Sequence, residues 1–313
     1  MEKHEATHPI TRSWKQWNRR SKWRNAIRWA DWRVTKKFAR LSGVQVKRSV
    51  PMFWGELMTI VYPEYVSGFL GKHGYFEKDL TAAVVDLVRP GDTFFDVGSH
   101  FGFYSLLAAD IVGASGAVHA FEPTPETYEV LSENAKRRDV IQAHNLAVFD
   151  EPKTIQFWKQ SIRDSAINFV ITDQQNLSRD EINEGQTIDV QAVRLDDFAT
   201  AHGLPDVMKL DVEGVESFVL RGMSNILKES RPVVMMEVGD SINEKTGNVS
   251  SRENVNFLLD HGYVAWEYAG QTPEQHIPQT SYQSGNLVFI HACLLYTSPS
   301  PRDLSTSRMP SSA

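Results

Sequence analysis

Residues 92 to 113 read DTFFDVGSHFGFYSLLAADIVG: an apolar strand, an aspartate, two glycines four apart and an apolar helix. A strand that turns through glycines into a helix opens a nucleotide-type α/β unit, because glycine lets the backbone approach a ligand closely. The dinucleotide fingerprint G-x-G-x-x-G needs its second glycine against a pyrophosphate. His100 stands there, which argues against NAD. No Lys-Ser or Lys-Thr follows Gly102, so nothing would reach a terminal phosphate either. What remains is Asp96-x-Gly98-x-x-x-Gly102, which suits a cofactor with adenosine at one end and an amino-acid tail at the other. S-adenosylmethionine fits that description.

The 313 residues, 41% hydrophobic and 23% charged, suffice for one large α/β domain with an extension. The net charge of -6 hides an asymmetry. Residues 1 to 50 carry 14 Lys/Arg and 3 Asp/Glu, net +11, which leaves 19 against 36, net -17, for the rest. The two parts are expected to do different physical work. There is no run of about 18 apolar residues and no short apolar signal core, so the expectation is a cytoplasmic protein. Cys293 is the only cysteine, which excludes an internal disulfide framework and a cysteine-based metal site. From there the chain reads CLLYTSPSPRDLSTSRMPSSA, a Ser/Pro-rich tail without periodicity. It resembles translated sequencing-adapter read-through and is expected to be non-native and disordered.

Three segments are therefore expected: a basic extension over 1–49, a core domain over 50–292 and the tail over 293–313. In the extension, Trp23, Ile27, Ala30, Val34, Phe38 and Leu41 recur at spacings of three and four among Arg and Lys, which predicts a basic amphipathic helix over 10–41. Its apolar stripe can pack on the core, or it can lie on an anionic membrane surface as a peripheral contact. Two short strands around VPMFWGELMTIV and a helix near 78–88 lead into the core. Strands are then predicted near 93–97, 117–121, 142–148, 207–211, 232–238, 262–267 and 286–291, with helices near 101–112, 125–137, 215–228 and 251–261. Such alternation means βαβ units and a doubly wound, Rossmann-like α/β fold with a mostly parallel sheet. No helix separates the last two strands, which predicts an antiparallel hairpin at one side. The insertion between 149 and 205 is the expected seat of substrate specificity, because loops at the strands' carboxyl ends shape the crevice.

Chemistry-bearing residues collect at strand ends. Asp96 closes the first core strand, and Glu122 closes the second, where an acid accepts from ribose hydroxyls. Pro123 and Pro125 stiffen the turn after Glu122. In DVMKLDVEGVESFVLRGM, residues 206–223, strand alternation puts Lys209, Asp211 and Glu213 on one side. Glu237 closes RPVVMMEVGD in the same layer.

Taken together, FFDVGSHFGFYSLLAA, VHAFEPTPETYEVLSENA, VRLDDFA, MKLDVEGVESFVLRGM and RPVVMMEV resemble the FkbM-type methyltransferase family in order and spacing. The segment GYFEKDLT resembles that family's lead-in to the glycine turn, and coverage runs from about Pro51 to His291. The resemblance implies a seven-stranded class I methyltransferase sheet, S-adenosylmethionine as donor, and O-methylation of a sugar, glycan or natural product. It further implies that Asp96, Gly98, Ser99, His100 and Gly102 line the methionine end, Glu122 the ribose, and Asn145 and Ala147 the adenine, with Glu77 near the amino-acid end. Many members have Ala-Asn where this chain has Ser99-His100, which leaves the role of His100 open. Asp211 and Glu213 are expected to act on the acceptor hydroxyl, as base or positioning group, with His100 as another candidate base. Together with Glu237 they also suit Mg²⁺. Two rival readings are a catalytically silent binding protein on this scaffold and a nucleic-acid methyltransferase. The Asn/Asp-Pro-Pro-Tyr/Phe sequence that grips a flipped base is replaced by DVEG, which disfavours the latter.

Overall fold

The computed structural model describes residues 8–19, 22–159, 169–170, 186–240, 249–268 and 273–295. The chain begins with α1 (Pro9–Arg19), α2 (Lys22–Ser42), the hairpin β1 (Val46–Pro51) and β2 (Leu57–Tyr62), then α3 (Tyr65–His73) and α4 (Lys78–Leu87). The core opens with β3 (Thr93–Val97), α5 (Phe103–Val112), β4 (Ala117–Phe121), α6 (Pro125–Ala135) and β5 (Ile141–His144). A second sheet, ordered β6-β9-β7-β8, comprises β6 (Ala147–Phe149), β7 (Lys153–Lys159), β8 (Phe169–Val170) and β9 (Gln186–Arg194). The chain returns through α7 (Leu195–His202), β10 (Val207–Leu210), α8 (Glu216–Arg221), α9 (Ser224–Glu229), β11 (Val233–Val238) and α10 (Ser251–Asp260). It closes with β12 (Tyr263–Glu267), β13 (Glu274–Gln275), β14 (Gly285–His291) and the short α11 (Ala292–Leu295).

The main sheet runs β13-β12-β14-β11-β10-β3-β4-β5, parallel from β5 to β11, with β14 antiparallel to both β11 and β12. This is the expected doubly wound class I methyltransferase architecture, with β14 inserted between β11 and β12 and the two-residue β13 added at the edge. Consecutive residues of its strands enter opposite cores: Phe94 packs in one apolar cluster and Phe95 in the other, and both are fully buried. Burial on both faces explains why the central strands are nearly continuous apolar runs. Strand order reverses between β3 and β10, and the crevice at their carboxyl ends is where such sheets bind ligands.

Four expectations change. The strand expected over 142–148 divides, because Asn145 donates to the carbonyls of Glu122 and Pro123 at 2.9 and 3.0 Å and turns the chain out of the main sheet into the second one. The helix expected over 215–228 breaks at Gly222, where a Cβ would lie 2.5 Å from the Phe149 carbonyl oxygen. The helix expected over 10–41 is two helices. Finally, its stripe is not buried: Val34, Phe38 and Leu41 are exposed, and α2 buries Thr35 and Ala39 instead. Small residues let helices approach closely. On α3 the matching position is Gly68, whose Cβ would meet Lys36 Nζ at 2.9 Å. The side chains of Trp23 and Ile27 lie outside the described residues.

The extension nevertheless joins the core, through Ile10, Trp14 and Ala39. Trp14 packs edge-on against Phe53 and Tyr75. β1 runs through the expected boundary at residues 49 and 50. α11 contains Cys293, where the tail was expected to start, and residues 296–313 of the tail lie outside the described residues.

Beside β4, His119 Nδ1 lies 3.2 Å from His144 Nε2 within a shell of Phe95, Phe121 and Phe198 rings. Burial lowers both pKa values to about 4; His144 and His202 add to the shift at His119, and His202 to that at His144. The unfolded chain therefore protonates first as pH falls, so this stability is present above about pH 6.5 and is lost on descent toward pH 4. The expected loss at His119 approaches about 3 kcal/mol. Thermal unfolding between pH 7 and 4.5 measures it, and the fall in Tm should be smaller in His119→Phe.

Candidate active site

The crevice is built around the turn between β3 and α5. Gly98 adopts φ 77°, and a Cβ there would lie 1.8 Å from the Asp211 carbonyl oxygen, so only glycine lets the ends of β3 and β10 come this close. The Phe121 carbonyl, at the end of β4, accepts from Gly98 N, Ser99 N and Ser99 Oγ at 2.9 to 3.1 Å. Gly102 N closes the turn on the Ser99 carbonyl at 2.8 Å.

Glu122 ties two segments together. Its Oε2 accepts from His100 N at 3.1 Å and its Oε1 from Thr124 N at 2.9 Å. Burial raises its pKa to about 7, against the pull of those N–H groups. His100 takes the place of a phosphate-loop glycine without being one: it adopts φ 50°, and its ring packs 4.0 Å from Phe101. Burial pushes its pKa down to about 3, despite Asp211. The ring is thus neutral.

Parallel pairing sets Lys209 beside Asp96. The Lys209 ammonium, 3% exposed, donates to Asp211 Oδ2 at 2.9 Å and to the Gly98 carbonyl at 3.2 Å, and lies 3.9 Å from Asp96 Oδ1. Asp96 is fully buried and accepts from Ser105 Oγ at 2.6 Å. Burial works against both charges, yet Asp211 and Asp96 hold the Lys209 pKa above its ordinary value. Burial likewise opposes ionisation of Asp211, but Lys209 outweighs it and keeps that carboxyl below its usual range.

Two acids behave oppositely beside it. Glu237 has a pKa raised to about 10 by burial and then by Asp211, and accepts from Ser284 Oγ at 3.2 Å. Glu213, at φ 52°, is raised well above its ordinary value by burial, Asp211 and Glu216. One carboxylate oxygen from each of Asp211, Glu213 and Glu237 lies within 4.8 Å of the others, a set that could hold a divalent cation. Burial and the Asp211 charge thus push Glu213 and Glu237 toward the neutral form, while Lys209 holds Asp211 toward the ionised one.

These groups line a cavity of about 460 Å³. One wall comes from α3 and the segment before α4, with Tyr65, Phe69 and Phe76. The opposite wall draws on the second sheet, with Val148, Phe157 and Val170. Glu77 also enters it, at φ 38°, accepting from Tyr104 Oη at 3.0 Å and Asn286 Nδ2 at 2.9 Å. Among the described residues four non-glycine residues have positive φ, and three of them, Glu77, His100 and Glu213, line this cavity. Strain of this kind collects where a site over-determines the backbone.

Of the residues singled out in the sequence, Glu77, Gly98, Ser99, His100, Glu122, Ala147, Asp211, Glu213 and Glu237 line the cavity. Asp96, Gly102 and Asn145 stand behind it and shape the turns. The sequence pattern had placed Lys209 with Asp211 and Glu213 without giving it a task. Tyr65, Phe69 and Asn286 carry no sequence signal of a site; only the packing of α3 and β14 brings them in.

A family model for the methyltransferase FkbM domain matches residues 96–265. The chain is 29% identical over 200 residues to the 31-O-demethyl-FK506 methyltransferase FkbM of Streptomyces tacrolimicus, spanning 56% of this chain and 74% of that protein. It is 28% identical over 174 residues to the hexuronic acid methyltransferase AglP of Haloferax volcanii, spanning 54% of this chain and 65% of that protein. Among solved structures, the methyltransferase FkbM from Methylobacillus flagellatus covers 72% of this chain and 52% of its own at 15% identity, with a TM-score of 0.39.

Removing the buried ammonium leaves Asp96 and Asp211 facing each other without compensation. Lys209→Met is therefore expected to cost about 3 to 5 kcal/mol in urea unfolding. Adding Asp211→Asn should restore about 1 kcal/mol or more. Strictly additive losses would show that the two residues are not coupled.

Proposed function

The chain belongs to the methyltransferase FkbM family, and we propose that it transfers a methyl group from S-adenosylmethionine to a hydroxyl of a small molecule or glycan. One observation carries this reading: the glycine turn with Glu122 and the carboxylate trio share one cavity at the β3/β10 switch. Relatives named for 31-O-demethyl-FK506 and for hexuronic acid support an acceptor of this class.

S-adenosylmethionine, when bound, supplies an electrophilic methyl group on a sulfonium. The site fits such a cation, since Glu77, Asp211, Glu213 and Glu237 all bring carboxyl groups to the cavity lining. Gly98, Ser99 and His100 would hold the methionine part, Glu122 the ribose, and Ala147 the adenine side, while Glu77 would lie near the amino-acid end. Asp96, Gly102 and Asn145 set the shape of these turns.

An acceptor hydroxyl must lose its proton as its oxygen is methylated. Asp211, held toward its ionised form by Lys209, takes that proton; Glu213 and Glu237, pushed toward the neutral form, orient the acceptor by hydrogen bonds. Because Asp211 and Glu237 are hydrogen-bonded, the pair titrates as a unit and shares the incoming proton. Mg²⁺ on the trio is the second reading, resting on the 4.8 Å grouping. The ammonium already paired with Asp211 favours direct proton transfer over a metal.

Calorimetry should detect binding of S-adenosylmethionine or its demethylated product, and Glu122→Ala should weaken it by about 1.5 to 3 kcal/mol. Asp211→Asn should still bind S-adenosylmethionine measurably but lose methyl transfer at saturating cofactor to a panel of hydroxylated saccharides by about a hundredfold or more. Unchanged turnover in EDTA is expected. Loss of activity in EDTA would favour the metal, and full activity of Asp211→Asn would remove that residue from the chemistry.

A further inference from the structure

Ten large apolar side chains are well exposed among the described residues, and eight of them lie between Trp29 and Phe69; only Leu204 and Ile277 fall elsewhere. On α2, Val34, Phe38 and Leu41 are 69%, 59% and 78% exposed and follow one another at helical spacing. One step around the helix stand Arg33, Lys37 and Arg40, all exposed. The whole of α2 has seven basic residues and one acid, Asp31. An apolar stripe bordered by a row of cations is the chemistry of an interfacial helix, whose apolar side chains enter the headgroup layer while Lys and Arg meet anionic lipid.

We propose that α2 seats this protein on an anionic lipid surface. Charge argues for that occupant over a second copy: pairing through this face would bring together two N-terminal segments of like charge, net +11 each over residues 1 to 50. The chain after residue 50, net -17, is repelled by the same surface, so contact is confined to the N-terminal layer and the molecule is oriented on it. α2 packs on α3, whose Tyr65 and Phe69 line the cavity and are themselves exposed. The lipid therefore lies about one helix spacing, roughly 10 Å, from the cavity wall. The inference does not depend on the methyl-transfer reading.

The test is sedimentation of the full chain with vesicles of phosphatidylglycerol and phosphatidylcholine, and with phosphatidylcholine alone. Binding is expected only to the anionic vesicles and should weaken with salt. The variant Arg33→Gln/Lys37→Gln/Arg40→Gln should bind about a hundredfold more weakly, and Phe38→Glu/Leu41→Glu at least about tenfold more weakly. Both should keep the wild-type Tm and S-adenosylmethionine affinity, which separates lost docking from unfolding and from failure of the catalytic reading. Absent binding, or equal binding to the two vesicle types, overturns the proposal. So does a wild-type dimer that Phe38→Glu/Leu41→Glu converts to monomer, which would make the face a contact between copies.

Discussion

A single buried ammonium organises this site. Lys209 Nζ joins the carboxyl end of β10 to the turn after β3, through Asp211, the Gly98 carbonyl and Asp96. Unpaired burial of such a charge would be costly, so the two acids and the lysine are tolerated only together. The same arrangement sorts the acids around it. Next to Lys209 a carboxylate stays ionised, and each acid beyond it then meets both burial and a fixed negative neighbour. Chemical asymmetry thus arises among side chains that are nearly identical in sequence.

The glycine turn depends on the same contact. Gly98 must accept the Asp211 carbonyl where a Cβ would stand, and Lys209 grips the Gly98 carbonyl. Glu122 then secures the far side of the turn through His100 N, while Thr124 N holds its second oxygen. His100, Glu77 and Glu213 adopt positive φ without being glycine. Their strain is held by packing around the cavity, which gives it a rigid rim made from three distant chain segments. The described strands of the second sheet add Val148, Phe157 and Val170 to the wall, so these strands contribute shape more than charge.

The pattern DTFFDVGSHFGFYSLLAADIVG determined the class of fold by itself, because continuous apolar strands, a glycine turn and an apolar helix are compatible with few architectures. The strand ends bearing Glu122, Asp211 and Glu237 were legible for the same reason: polar residues closing buried strands face the crevice, although Asp96 turned out to stand behind it. Tertiary structure decided the rest. The 142–148 strand broke because Asn145 bonds to carbonyls more than twenty residues away, a partner no local pattern reveals. Helical spacing showed that Val34, Phe38 and Leu41 share a face but not which face α3 would cover, and Gly68 selected the small one. Whether Glu122 serves a ligand or its own loop, and which acid of the trio keeps its charge, depends on distances set by pairing β3 with β10 across 113 positions. Side-chain identity is local, whereas burial and Coulombic neighbours belong to the folded chain.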